Sequence, residues 1–149
     1  MEERFIRVPR TARYHVLGDP ATARMVWVVL HGFGQLARFF LNKFEGLEEG
    51  LLIAAPEGLS RFYLDEQHQR VGATWMTRED REHEIGDQLS YLDALAASLL
   101  DECPQAKGSG CWASPKGWPR PADGPHWARR TRSTWCSGVA ACPRTWTAA

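Results

Sequence analysis

The chain has 149 residues, no formal net charge, 44% hydrophobic residues and 24% charged residues. That balance suits one globular domain and leaves little room for a second. No apolar run approaches the ~20 residues of a membrane span. The start, Met1-Glu2-Glu3-Arg4, carries acids where a signal peptide has a basic and then an apolar region. A cytoplasmic chain with reduced thiols is the expectation.

The averages conceal a break near Lys107. Residues 1–107 hold 12 Lys/Arg against 17 Asp/Glu, whereas residues 108–149 hold six Lys/Arg against one acid, Asp123. The later segment also contains five of the seven Trp, five of the nine Pro and three of the four Cys, with one Val and no Leu, Ile, Met or Phe. It lacks the branched apolar side chains that fill a core to native density. The expected division is a partial α/β domain over 1–107 and an irregular, disordered tail without a core pattern over 108–149.

In chain order, Arg4 to Val8 and Arg13 to Leu17 alternate like short strands on either side of Pro9. Gly18-Asp19-Pro20 is a turn by residue type. Met25 to Leu30 is a continuous apolar run, as expected of a strand covered on both faces. From Leu36 to Leu47 the apolar positions 36, 39, 40, 44 and 47 follow helical spacing. Leu51 to Pro56 reads as a second buried strand, and the stretch Glu57 to Asp80 is polar with scattered apolar residues. Ile85, Leu89, Leu92, Leu95, Ala96, Leu99 and Leu100 mark an amphipathic helix, with Thr77 or Asp80 as its N-cap and Pro104 beyond its end. Strand–helix–strand–helix predicts an α/β fold with a mostly parallel sheet and crossover helices.

The stretch Arg78 to Glu84 reads as a solvated helix start whose acids favour the macrodipole. Glu82, His83 and Glu84 are consecutive and point away from one another, so they make no metal site. His31-Gly32-Phe33-Gly34 follows the first buried strand, where open α/β sheets place their sites. Glycines at 32 and 34 permit backbone torsions that a β-carbon penalises, and they let an N–H turn toward a reacting oxygen.

Three stretches carry a likeness: Val28 to Gln35, Ala54-Ala55-Pro56-Glu57-Gly58 and Ala73-Thr74-Trp75-Met76. Together they resemble the α/β-hydrolase superfamily, and within it the small predicted esterases of the phospholipase/carboxylesterase/thioesterase group. The likeness covers about residues 13–107, the first half of such a domain. It implies hydrolysis of a small-molecule carboxylic ester or thioester through a serine acyl-enzyme, without metal or organic cofactor. It makes the Phe33 backbone N–H one oxyanion donor, with His31, Gly32 and Gly34 shaping the loop. Gln35, Trp75 and Met76 would then lie near the acyl pocket.

The family also requires a strand and a Gly-x-Ser-x-Gly elbow after the long helix. None of Ser109, Ser114, Ser133 and Ser137 has glycines at both −2 and +2. The catalytic serine, its acid and its histidine base are absent, and the one late histidine, His126, lies between Pro125 and Trp127. A shifted reading frame accounts for this. Back-translated from the third base of each codon, Cys111-Trp112-Ala113 gives Leu-Gly, and the next codons permit Phe-Ser-Gln-Gly, an elbow of the missing kind. The expectation is therefore a frame-shifted, inactive esterase with the slip between Gln105 and Ser109. The alternative is a noncatalytic binding or pseudoenzyme role for the α/β half or the basic Trp-rich tail.

Cys103, Cys111, Cys136 and Cys142, with His126, lack the paired spacing of structural zinc sites. Arg129-Arg130 and Arg132 form a cluster too short to argue for nucleic acid and read as solvated charge.

Overall fold

A computed structural model describes residues 1–107 and 109–113. Its elements are strand β1 (Tyr14–Leu17), strand β2 (Met25–Leu30), helix α1 (Ala37–Leu41) running into a 3₁₀ turn (Asn42–Phe44), strand β3 (Leu51–Pro56), strand β4 (Ser60–Tyr63), strand β5 (Val71–Thr74), helix α2 (Arg81–Glu102) and strand β6 (Ser109–Ala113).

The sheet order is β1-β3-β2-β6, and β4 and β5 form a separate two-stranded ribbon. β2 runs parallel to both β3 and β6, whereas β1 runs antiparallel to β3, with Tyr14 opposite Pro56 and Leu17 opposite Ile53. β4 and β5 are also antiparallel. The expected mostly parallel sheet with crossover helices is thereby corrected to a mixed sheet plus an antiparallel ribbon. The physical reason lies in the polarity of the strands. β1 and β4 alternate between exposed and half-buried residues, the pattern of strands with one wet face, which pair antiparallel at an edge or in a hairpin. α2 leaves the ribbon and leads to the main sheet, so it does not join two strands of one parallel sheet.

Other boundaries also move. Residues 4–8 form no strand, and Phe5, Ile6 and Val8 are exposed, because no neighbouring strand takes up their backbone. The predicted helix over 36–47 is only five residues of α-helix before it tightens into the 3₁₀ turn. The polar stretch 57–80 contains the β4–β5 ribbon. The tail expected to be irregular from residue 108 opens with β6, whose backbone pairs along β2 from Val26↔Ser109 to Leu30↔Ala113. Backbone pairing needs no apolar side chains, which is why a composition argument misses it.

β2 is apolar throughout because both its faces are covered. Val26, Val28 and Leu30 join Leu52, Ala54, Trp75, Leu95, Leu99 and Cys103 on one side. Val29 joins Ala37, Phe40, Leu41, Ile53 and Ala55 on the other. α2 supplies the first cover and α1 the second. Of the predicted α2 stripe, Leu95, Ala96 and Leu99 are buried while Leu100 is 40% exposed. The helix begins after Asp80, whose φ of 50° is left-handed and whose side chain makes no cap bond. Glu84 instead ties the incoming chain and the ribbon to the helix: its carboxylate accepts from the Thr77 N–H at 2.5 Å, the Thr77 hydroxyl at 3.1 Å and the Ser60 hydroxyl at 3.0 Å. Among the described residues, no helix is long and apolar enough to cross a membrane.

Leu99 is fully buried where α2 meets the sheet. Leu99→Ala is expected to lower unfolding free energy by about 2–5 kcal/mol through lost transfer energy and a residual cavity. Urea titration followed by tryptophan fluorescence measures it, and a change under about 1 kcal/mol, half of the expected minimum, would show that α2 does not anchor the core.

Candidate functional site

The site grows out of the C-terminal end of β2. Leu30 is the last residue of that strand, and Ala113, the last of β6, pairs with it. His31 follows and is 2% exposed. Its Nδ1 lies 2.8 Å from the Gly32 carbonyl, and the Gly58 N–H reaches its Nε2 at 3.0 Å. A carbonyl only accepts and an amide N–H only donates, so the ring is neutral, with its proton on Nδ1. Burial pushes the His31 pKa below its ordinary range, against the Gly32 carbonyl and the Glu57 charge, which both raise it. A neutral imidazole with both nitrogens engaged is a structural strut rather than a free proton carrier.

The Trp75 ring packs against His31 with centroids 5.1 Å apart, and its Nε1 donates to the His31 carbonyl at 2.8 Å. The Trp75 carbonyl in turn accepts from the Gln88 amide of α2 at 2.8 Å. Met76 is half-buried next to it, its carbonyl held by the Thr74 hydroxyl at 2.9 Å.

The turn after His31 commits its backbone donors one by one. The Gly32 N–H goes to Gln35 Oε1 at 3.0 Å, the Gly34 N–H to the Ala73 carbonyl at 2.9 Å, and the Gln35 N–H to the Gly32 carbonyl at 3.2 Å. Among the described residues the Phe33 N–H has no acceptor. The Phe33 ring is 61% exposed and rests on Phe62 of β4 at 5.0 Å. Of the two loop glycines, Gly34 takes the left-handed conformation, with φ of +74°. Its carbonyl approaches β5 so closely that a β-carbon on Gly72 would lie 2.6 Å from it. The ribbon therefore backs the loop directly.

Glu57 holds the other side. Its side chain is fully buried, with Oε1 bonded to Arg13 at 2.6 Å and to Arg61 at 2.7 Å, and Oε2 accepting from the Ala37 N–H of α1 at 3.3 Å. Burial alone would raise this carboxyl, but the hydrogen bonds from Arg61 and Arg13 outweigh it and hold the pKa below the usual carboxylate range. The Tyr91 hydroxyl of α2 donates to the Arg13 carbonyl at 3.0 Å and, chiefly through burial, is pushed up to about 12.

A cleft of about 660 Å³ opens beside the loop and is lined in part by Gly34 and Gln35. The residues predicted for the acyl pocket thus separate: Gln35 faces this cleft, while Trp75 and Met76 do not line it. Sequence reasoning assigned no role to Glu57, Gly58 or Gln88. Glu57 and Gly58 had a usable signal, a carboxylate and a glycine placed directly after a buried strand. Gln88 had none beyond a polar residue one position before the apolar Leu89. Among the described residues no three His, Cys, Asp or Glu side chains gather as a metal site. Ser114, Ser133, Ser137, His126, Cys136, Cys142 and the Arg129–Arg132 cluster lie outside the described residues. No protein-family model and no curated protein matches the chain.

Acid should dismantle this site in two stages. A depressed histidine pKa favours the folded state above the unfolded value of about 6.5 and loses that contribution as pH falls below it. The depressed Glu57 carboxyl contributes above about 4.3 and is lost as pH falls further, through its folded value. Unfolding free energy measured by urea between pH 8 and 3 should therefore fall in both ranges (roughly below 6.5, then below 4.3). His31→Gln should flatten the upper range, and Glu57→Gln the lower while costing about 1–3 kcal/mol at neutral pH. Unchanged profiles in both variants would overturn the protonation states assigned here.

Proposed function

We propose that residues 13–113 form the oxyanion-binding half of a serine hydrolase acting on a carboxylic ester or thioester, and that the chain as it stands is inactive. The observation that carries this reading is the single uncommitted N–H at Phe33. It sits in a turn whose other three amides are fixed, directly after a buried strand. Developing negative charge on a carbonyl oxygen is best stabilised by donors held in place before the reaction, and one such donor is worth about 3–4 kcal/mol of barrier. The His31, Gly34 and Gln35 contacts are what would hold the Phe33 donor in place.

The position of β6 supports the same reading. The strand ends at Ala113 beside Leu30, at the same end of the sheet as the His31 turn. In an acyl-transfer site this is where a serine must arrive, with its own following N–H as the second oxyanion donor. The chain encodes no Gly-x-Ser-x-Gly there. In the shifted frame the codons of Ala113 to Gly117 permit Phe-Ser-Gln-Gly. A slip between Gln105 and Ser109 thus separates a complete oxyanion loop from its nucleophile. Without that nucleophile, no acyl-enzyme forms.

The chain as written and a version with the frame restored after Gln105 are to be treated with a fluorophosphonate probe and assayed with p-nitrophenyl butyrate. Labelling and hydrolysis are expected only in the restored version. In that version Phe33→Pro, which removes the N–H, should lower kcat roughly 100-fold or more. Serine labelling of the unrestored chain would end the proposal of inactivity, and an unlabelled restored version would end the hydrolase reading itself.

A further inference from the structure

The cleft beside the loop carries an unbalanced charge. Arg38, Lys43 and Arg70 line it and none of its lining residues is acidic; the Asp65 carboxylate at its rim is taken up by the Gln69 and Arg70 backbone N–H groups, and among the described residues none of the three cationic side chains has a carboxylate partner. Arg13 and Arg61, by contrast, are both paired with the buried Glu57. The same cleft exposes large apolar side chains: Phe39 is 59% exposed, Leu64 40% and Val71 37%. Arg38 lies over the Phe39 ring at 4.4 Å from its centroid, and Lys43 over the Phe40 ring at 5.3 Å. Two of the three cations, Arg38 and Lys43, thus lie over aromatic rings, and all three residues are exposed at the cleft.

We infer that this cleft binds an anionic amphiphile, an aliphatic chain bearing a carboxylate or phosphate group, with the chain along Phe39, Leu64 and Val71 and the anion among Arg38, Lys43 and Arg70. A neutral ligand would leave three cations uncompensated, and a cationic one would add to their repulsion. A fully hydrated small anion would leave the apolar wall in water. Only a ligand with both parts satisfies both surfaces. Gly34 and Gln35 belong at once to the cleft and to the turn that holds the Phe33 N–H, so a ligand seated there lies against that turn, although Phe33 itself does not line the cleft. This inference rests on the hydrolase reading for its functional meaning: the substrates are anionic esters or thioesters, the charge on the acyl chain or on the leaving group.

The test uses the full chain as written, titrated by calorimetry with decanoate, decyl phosphate and decyltrimethylammonium below their micelle concentrations. The two anions are expected to bind, weakening as salt rises, and the cation is not. Arg38→Gln combined with Arg70→Gln should weaken anion binding roughly tenfold or more, about 1.4 kcal/mol. Arg38→Lys with Arg70→Lys should retain most of it, and Arg10→Gln, a control outside the cleft, all of it. Binding of either anion supports the inference, and the order of the two reads which anionic head group the cleft prefers. Equal binding of anion and cation, or anion binding indifferent to the Gln variants, would overturn the inference. The hydrolase reading fails separately: anion binding to the chain with no p-nitrophenyl butyrate hydrolysis by the restored version leaves the cleft standing and removes the reaction.

Discussion

The neutral, doubly bonded ring of His31 is the contact on which the site depends. It ties the end of β2 to Gly58 beyond β3, while its carbonyl receives Trp75 from beyond β5 and Trp75 in turn receives Gln88 from α2. Four segments distant in sequence converge through three hydrogen bonds in a region that excludes water. A buried hydrogen-bonded chain of this kind is held together by its own cost of failure. Losing one partner leaves another polar group desolvated and unpaired, a penalty of about 1–3 kcal/mol. That cost keeps the next residues, Gly32 to Gln35, in one arrangement, and it fixes which amide of the turn is left over.

Glu57 performs a parallel task with charge. Burying a carboxylate is unfavourable unless donors surround it. Here the guanidiniums of Arg13 and Arg61 bond one oxygen while the Ala37 amide approaches the other. The consequence is mechanical as well as electrostatic. Arg13 precedes β1, Arg61 lies on β4, and Ala37 opens α1, so a single carboxylate fixes the edge strand, the ribbon and the first helix relative to β3. The contrast with Arg38, Lys43 and Arg70 is instructive. Glu57 compensates the two guanidiniums that hold these elements, whereas the three cations lining the cleft have no carboxylate partner among the described residues.

Much of this was legible in the sequence where period and composition speak together. The apolar runs of β2 and β3 announced strands with two covered faces, and the spacing of Leu92, Leu95 and Leu99 announced α2. The His-Gly-Phe-Gly turn was legible because its residue types are chemically unusual after a buried strand. The sheet's mixed direction was not, since β1 is four residues long and its alternation says that one face is wet without saying which strand it joins. The β4–β5 ribbon hid in a polar stretch because Ser60-Arg61-Phe62-Tyr63 and Val71-Gly72-Ala73-Thr74 are held by cross-strand bonds and by the turn against Gly34, neither of which leaves a run of apolar letters. The task of Glu57, as distinct from its placement after a buried strand, has no signal in the sequence, because a carboxylate's partners at 13 and 61 are invisible until the chain folds.

β6 shows the limit of composition most clearly. A segment poor in branched apolar residues was read as unable to join a core, and its first five described residues nonetheless take the position beside β2. The core does not need their side chains for this: α1 and α2 already cover the faces of β2, and what β2 still lacks on that edge is backbone partners. An unpaired strand edge is a row of unmet donors and acceptors, and any extended backbone that reaches it can satisfy them. The order of causes is therefore that residues 13–107 build a sheet with one open edge, and the chain that follows pairs with that edge by geometry rather than by composition. A change of residue types after Lys107 then leaves the His31 to Gln35 loop in place, because the loop is held from His31, Gly58, Trp75 and Gln88, all of which precede the change.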